Sequence, residues 1–180
     1  MSTVSACPCC APPSRGLGRR GMFTLAAGLA GAAVLGGRAA AQGTTYDCML
    51  LTCIDPRFVT PVNAWMDSQG LKGKFSQFAI AGATVGVVAP SFATWAPAFW
   101  DNLGASIQLH SIKRVVAVTH RDCGAARIAY GADSIATRDA ETALHRRVFG
   151  EFTAQLAQRQ PRMGIAGGVM AMDGSVERFA

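Results

Sequence analysis

The apolar positions of this chain change period along its length, and the changes mark out its elements. YDCMLLTCID carries a short, nearly unbroken apolar run over 47–53, the pattern of a buried strand. Pro56 and Pro61 then interrupt the chain, a short helix follows through 62–69, and Gly70 and Gly73 bracket a turn. FSQFAIAG, 75–82, reads as a second strand, followed by a Gly- and Pro-bearing loop to about residue 91. In APAFWDNLGASIQLHS, residues Phe99, Leu103, Ile107 and His110 recur at helical spacing. RVVAVTH, 114–120, is a third strand, and GAARIAYG a short helix or turn. TRDAETALHRRVFGEFTAQLAQRQ, 137–160, predicts a long amphipathic helix. Thr137 opens it with Ala140 and Glu141 in the first turn, Leu144, Val148, Phe152 and Leu156 form its apolar stripe, and Pro161 stops it. MGIAGGVMAMDGSVERFA closes as a strand or hairpin, with Asp173-Gly174 as the turn. Strands alternating with helices predict an α/β fold, a mostly parallel central sheet flanked by helices.

Residues 1–41 follow a different rule. They hold no acidic residue, place Arg15, Arg19 and Arg20 before an apolar run from Met22 to Leu35, and end in Ala39-Ala40-Ala41. That is the order of a basic region, an apolar region and a small-residue cleavage site. The Arg19-Arg20 pair, with Met22 and Phe23 close behind, points to a twin-arginine signal and a periplasmic destination. The apolar run is too short and too rich in Gly and Ala for a stable membrane anchor. The expected organisation is a cleaved signal, 1–41, and a single domain, 42–180. Taking Arg15, Arg19, Arg20 and Arg38 from the 17 Lys and Arg leaves 13 against 11 Asp and Glu, a net +2. The basicity thus belongs mostly to the signal, and nothing in the remainder argues for nucleic acid.

Cysteine usage narrows in the same way. Cys7, Cys9 and Cys10 fall in the signal and leave with it, so Cys48, Cys53 and Cys123 remain. An odd count makes a poor disulfide framework for an exported protein, so these thiols are either protected or ligands. Cys48, five residues before Cys53, faces the other side of its strand and reads as core.

In parallel sheets, ligands bind outside the carboxyl ends of the strands. Here the first strand ends in Cys53-Ile54-Asp55-Pro56-Arg57 and the third in His120-Arg121-Asp122-Cys123-Gly124. If the two strands are neighbours, Cys53, His120 and Cys123 converge. Two thiolates and one imidazole are the ligand set of a zinc site that keeps a fourth position open. His145, on the long helix, reads as an exposed residue, and His110 as structural.

These two motifs resemble the signature of the β-class carbonic anhydrase family, C-x-D-x-R followed by H-x-x-C, each at the end of a parallel strand. The resemblance covers roughly residues 46–176. It implies Zn²⁺ held by Cys53, His120 and Cys123, and reversible hydration of CO₂ to bicarbonate by a zinc-held hydroxide. Asp55 would orient that hydroxide, Arg57 would hold Asp55, and Asp55 would serve as fourth zinc ligand in a closed state. It also implies a homodimer or higher homo-oligomer. The chain departs from the family in three places: Pro56 stands where Ser is usual, His120 follows Cys53 by 67 positions, and Ala79-Ile80-Ala81-Gly82 replaces a common Arg-Asn-Ala-Gly. Pro56 would bias Asp55 to an extended backbone and stiffen its motion. Two alternatives share the fold: a CS₂ or COS hydrolase with loop 83–97 lining its entrance, and a catalytically silent zinc-binding protein. A thiol-redox protein using Cys53 and Cys123 lacks the C-x-x-C pair.

Overall fold

The computed structural model describes residues 46–179, and the expected signal segment lies outside these described residues. The sheet has five strands: β1 (Cys48–Thr52), β2 (Phe75–Ala79), β3 (Arg114–His120), β4 (Gly164–Met170) and β5 (Val176–Phe179). Their order is β2-β1-β3-β4-β5. The first four are mutually parallel and β5 runs antiparallel to β4. The α/β architecture is therefore as expected, with the terminal segment resolving into a hairpin whose turn holds Asp173-Gly174. Gly174 takes φ +83 there, a conformation glycine adopts without cost.

Every residue of β1 is buried, which explains its unbroken apolar run: helices cover both sides of the sheet. Alternate side chains supply different cores. Met49 and Leu51 pack with Phe99, Leu103, Phe149 and Phe152 on one face. Cys48 and Leu50 pack with Phe58, Val62, Met66 and Val118 on the other. Cys48 is a buried free thiol, as the alternation of the strand requires.

The helices are α1 (Val59–Ser68), α2 (Thr84–Val88), α3 (Ala96–His110), α4 (Gly124–Tyr130) and α5 (Arg138–Arg159). Two expectations need correction. Pro61 does not break the chain, because α1 starts at Val59 and Pro61 sits in its first turn, where no amide hydrogen is needed. The loop after β2 is partly helical, and β2 itself stops at Ala79 rather than running to 82. α5 behaves as its sequence predicts: Thr137 Oγ1 accepts from the Ala140 amide at 3.2 Å, and the helix ends two residues before Pro161. His110 closes α3 and meets Tyr46 edge-on. Among the described residues no helix is long and apolar enough to cross a membrane.

Candidate metal centre

Neighbouring strands bring the two motifs together. β1 pairs with β3 in parallel, with Thr52 opposite Val118, so both chains leave the sheet at the same end. Cys53 is the first residue beyond β1, His120 the last of β3, and Cys123 the residue before α4. Their ligand atoms, two Sγ and one ring nitrogen, all lie within 4.8 Å of one another, and all three residues are buried.

The ring of His120 is fixed on two sides. Its Nδ1 lies 2.8 Å from the carbonyl oxygen of Arg121, so Nδ1 carries the proton and donates it. Nε2 is then a bare lone pair, buried and, among the described residues, without a hydrogen-bond partner. Phe58 stacks on the ring face at 4.1 Å between centroids. A buried lone pair with nothing to accept from is costly in a folded protein unless a cation takes the position.

The two sulfurs are equally unsuited to stand alone. A hydrogen bond from the Cys123 thiol, with another from the Gly82 amide, holds the Cys53 thiol well below the usual range. That hydrogen bond and burial push Cys123 up in return. The pair therefore accommodates one negative charge, and a second thiolate needs a cation in place of the shared proton. Among the described residues both thiols are free of disulfides. The donor set, its burial and its unpartnered nitrogen all fit a metal ion of thiolate and imidazole preference.

Asp55 and Arg57 stand beside this cluster. Pro56 opens a short 3₁₀ turn over Pro56–Phe58, and Asp55 caps it in extended conformation (φ −60, ψ 120), accepting from the Arg57 amide at 3.0 Å. The guanidinium meets the carboxylate along one edge, Nε to Oδ1 at 3.0 Å and Nη2 to Oδ2 at 2.7 Å. These hydrogen bonds hold the Asp55 carboxyl at about 2. Its Oδ2 lies 3.8 Å from His120 Nε2, beyond hydrogen-bond range but next to the ligand atoms. The extended backbone of Asp55 is the one Pro56 was expected to impose.

Comparison with known proteins fits this geometry. Residues 44–150 match the family model described as "Putative carbonic anhydrase". The chain belongs to this carbonic anhydrase family. An uncharacterized protein of Rickettsia conorii is 27% identical to this carbonic anhydrase family member over 131 residues, covering 73% of this chain and 70% of its own. One of Rickettsia bellii is 24% identical over 131 residues, covering 73% and 80%. Among solved structures, a tetrameric β-carbonic anhydrase of Sordaria macrospora superposes with a TM-score of 0.51 at 11% identity, covering 77% of this chain and 82% of that one. The fold of this family member is thus the β-class fold.

Several residues at the centre have no motif to announce them. Phe58 is placed by the 3₁₀ turn that follows Cys53. Gly82 donates its amide to Cys53 Sγ at 3.1 Å, at φ +78, where a Cβ would come within 2.8 Å of Val85 Cβ and 3.0 Å of Ala125 Cβ. The tetrapeptide that departs from the family pattern therefore still supplies the glycine that lets the backbone reach the sulfur. Arg121 is buried and bonds Glu177 Oε2 at 2.8 Å, Thr142 Oγ1 at 2.6 Å and the Arg138 carbonyl at 3.0 Å, tying the ligand turn to α5 and β5. His145 corrects the expectation of an exposed residue: it is 0% exposed, and among the described residues neither ring nitrogen has a hydrogen-bond partner. Burial, with the nearby charge of Arg121 acting in the same direction, lowers it to about 4, so it is neutral in the folded protein near pH 7.

Proposed function

We propose that this chain is a zinc-dependent carbonic anhydrase interconverting CO₂ and bicarbonate, with Cys53, His120 and Cys123 holding the ion. The observation that carries this reading is the buried triad of donor atoms with Asp55, already ionised and clamped, at its rim. Zinc bound there supplies Lewis acidity toward the reacting oxygen. Two thiolates and a neutral imidazole cancel the ion's charge, so the surrounding side chains carry more of the task than in a three-His site. Asp55, held at about 2, is a hydrogen-bond acceptor at neutral pH and no proton carrier. Its part is to take a hydrogen bond from the attacking oxygen and turn a lone pair toward the substrate. Arg57 keeps the carboxylate ionised and in one orientation. Cys53 and Cys123 share an apolar cluster with Val85, Ala89, Phe92 and Ala125, which excludes bulk water and suits an uncharged, apolar gas.

Measurement of bound metal and stopped-flow CO₂ hydration, on the wild type beside Cys123→Ser and Asp55→Ala, tests this reading. One zinc per chain, lost in Cys123→Ser and kept in Asp55→Ala with about a 100-fold fall in kcat/KM, is the expected pattern. Zinc retained in Cys123→Ser would overturn the ligand set. Full zinc content with no turnover of CO₂, and turnover of CS₂ instead, would reassign the substrate.

The same reading extends to assembly and address. The likeness in fold to a tetrameric β-carbonic anhydrase supports self-association, and gel filtration showing a homo-oligomer is the expected result. The Arg19-Arg20 segment supports twin-arginine export to the periplasm, which replacement of both by Lys should block in a fractionation experiment.

A further inference from the structure

Arg57 is gripped by two carboxylates, and only one of them belongs to the motif that names the site. Opposite Asp55, its Nη1 donates to Asp122 Oδ2 at 2.9 Å and its Nη2 to the Asp122 carbonyl at 3.2 Å. Asp122 lies between the ligands His120 and Cys123, and its backbone is left-handed, φ 55. A non-glycine residue holds that conformation at a cost unless something secures it, and Asp and Asn bear it best. The anchor is Glu141 of α5. Its Oε1 accepts the Asp122 amide at 2.6 Å, while its Oε2 lies 3.5 Å from Arg121 Nη1. Glu141 and Arg121 are both buried. A continuous path thus runs from the interior of α5 through Glu141, the Asp122 backbone and Arg57 to Asp55.

We propose that Asp122 is a positioning residue that holds Arg57 from the far side and thereby keeps Asp55 on the guanidinium and off the metal. The proposal rests on the metal-centre reading given above. The geometry leaves Asp55 two destinations. One is the Arg57 edge it occupies; the other is the ligand cluster, since its Oδ2 is already 3.8 Å from His120 Nε2. Arg57 can restrain Asp55 only while its own long side chain is restrained. Its side chain is 41% exposed and would otherwise sample many rotamers. Asp122, itself 60% exposed, contributes little as a surface ion pair. Its contribution is direction: with Nη1 and Nη2 fixed on the ligand turn, Nε and Nη2 face Asp55. Because Asp122 belongs to the same turn as His120 and Cys123, the ligands and the carboxylate clamp move as one body.

The test replaces zinc by cobalt(II), whose visible spectrum reports the number and type of ligands. Asp122→Gly removes the carboxylate while tolerating φ 55, and Asp122→Asn restores a neutral acceptor. With metal content unchanged, Asp122→Gly should alter the cobalt spectrum as Asp55 joins the ligand set, Asp122→Asn should revert part of the change, and Asp122→Gly should have no effect in an Asp55→Ala background. CO₂ hydration should fall three- to fivefold in Asp122→Gly and recover in Asp122→Asn, roughly what a lost surface pair can account for. A wild-type spectrum in Asp122→Gly, or an altered one that persists without Asp55, overturns the proposal. A protein silent toward CO₂ whose spectrum still changes only when Asp55 is present would overturn the hydration reading and uphold this one.

Discussion

The ring of Phe58 lies nearly flat on the ring of His120, centroids 4.1 Å apart and planes 23° apart. Phe58 is buried and belongs to the core cluster of Cys48, Leu50, Val62 and Val118. One side chain therefore serves both the core beneath α1 and the orientation of the His120 ring. Truncation to Ala should cost about 3–5 kcal/mol, the range for a buried Phe, while Leu should cost under about 1.5 kcal/mol. If the stack orients His120, Phe58→Leu should still weaken zinc roughly 10-fold in a chelator competition. Zinc affinity unchanged in Phe58→Leu would limit Phe58 to packing.

Arg57 makes its own prediction through pH. Asp55 is depressed, so the stability it lends is complete above its ordinary value of 3.8 and is lost as pH falls through about 2. Its ionisation is therefore finished well below neutrality, and it should not shape the rate profile between about pH 5 and 9. Arg57→Gln removes the largest cause of that depression. The Asp55 titration, followed by carboxyl NMR, should move up toward 3.8, with kcat/KM falling about 10- to 100-fold at full zinc content. An unmoved Asp55 titration would refute Arg57 as its holder.

Gly82 tests how closely the backbone must approach a ligand. Ala at this position must keep φ +78 and force its Cβ against Val85 and Ala125. Strain of about 1–3 kcal/mol is expected from the backbone alone. Thermal unfolding of Gly82→Ala should report that loss, and the amide bond to Cys53 should weaken with it. A melting temperature equal to wild type would show that the turn relaxes freely.

The sheet and the convergence of Cys53, His120 and Cys123 are legible because strand-end position is written in the local sequence: an apolar run, then an abrupt polar motif, twice. The sequence leaves the adjacency of β1 and β3 open, and the parallel pairing of Thr52 with Val118 supplies it. Asp55 and Arg57 could be read because they lie within four residues of Cys53. Phe58, Glu141 and Asp122 could not be assigned from spacing, since their contacts span 19 to 65 residues or depend on a 3₁₀ turn with no strong signal. Pro61 misled because a proline reads as an interruption unless the helix start is already known.

His145 shows where a helical pattern fails. The stripe Leu144, Val148, Phe152 and Leu156 marks one buried row of α5, but Glu141, His145 and Phe149 form a second buried row at spacing of four. Polar residues in that row read as solvent-facing, although the helix is covered over a wider arc. The consequence is a pH-dependent stability. His145 is lowered from 6.5 to about 4 by burial, so the unfolded chain binds a proton that the folded chain rejects. Its neutral form is fully compatible with folding above pH 6.5, and stability must fall as pH drops from 6.5 through 4. The integrated loss is at most about 3 kcal/mol. Protonation of zinc ligands over the same range also destabilises, so the informative quantity is the difference between wild type and His145→Leu. Denaturant unfolding at several pH values should give curves that diverge below pH 6.5, with the wild type losing stability faster. Parallel curves would mean that His145 keeps its ordinary proton affinity inside the fold.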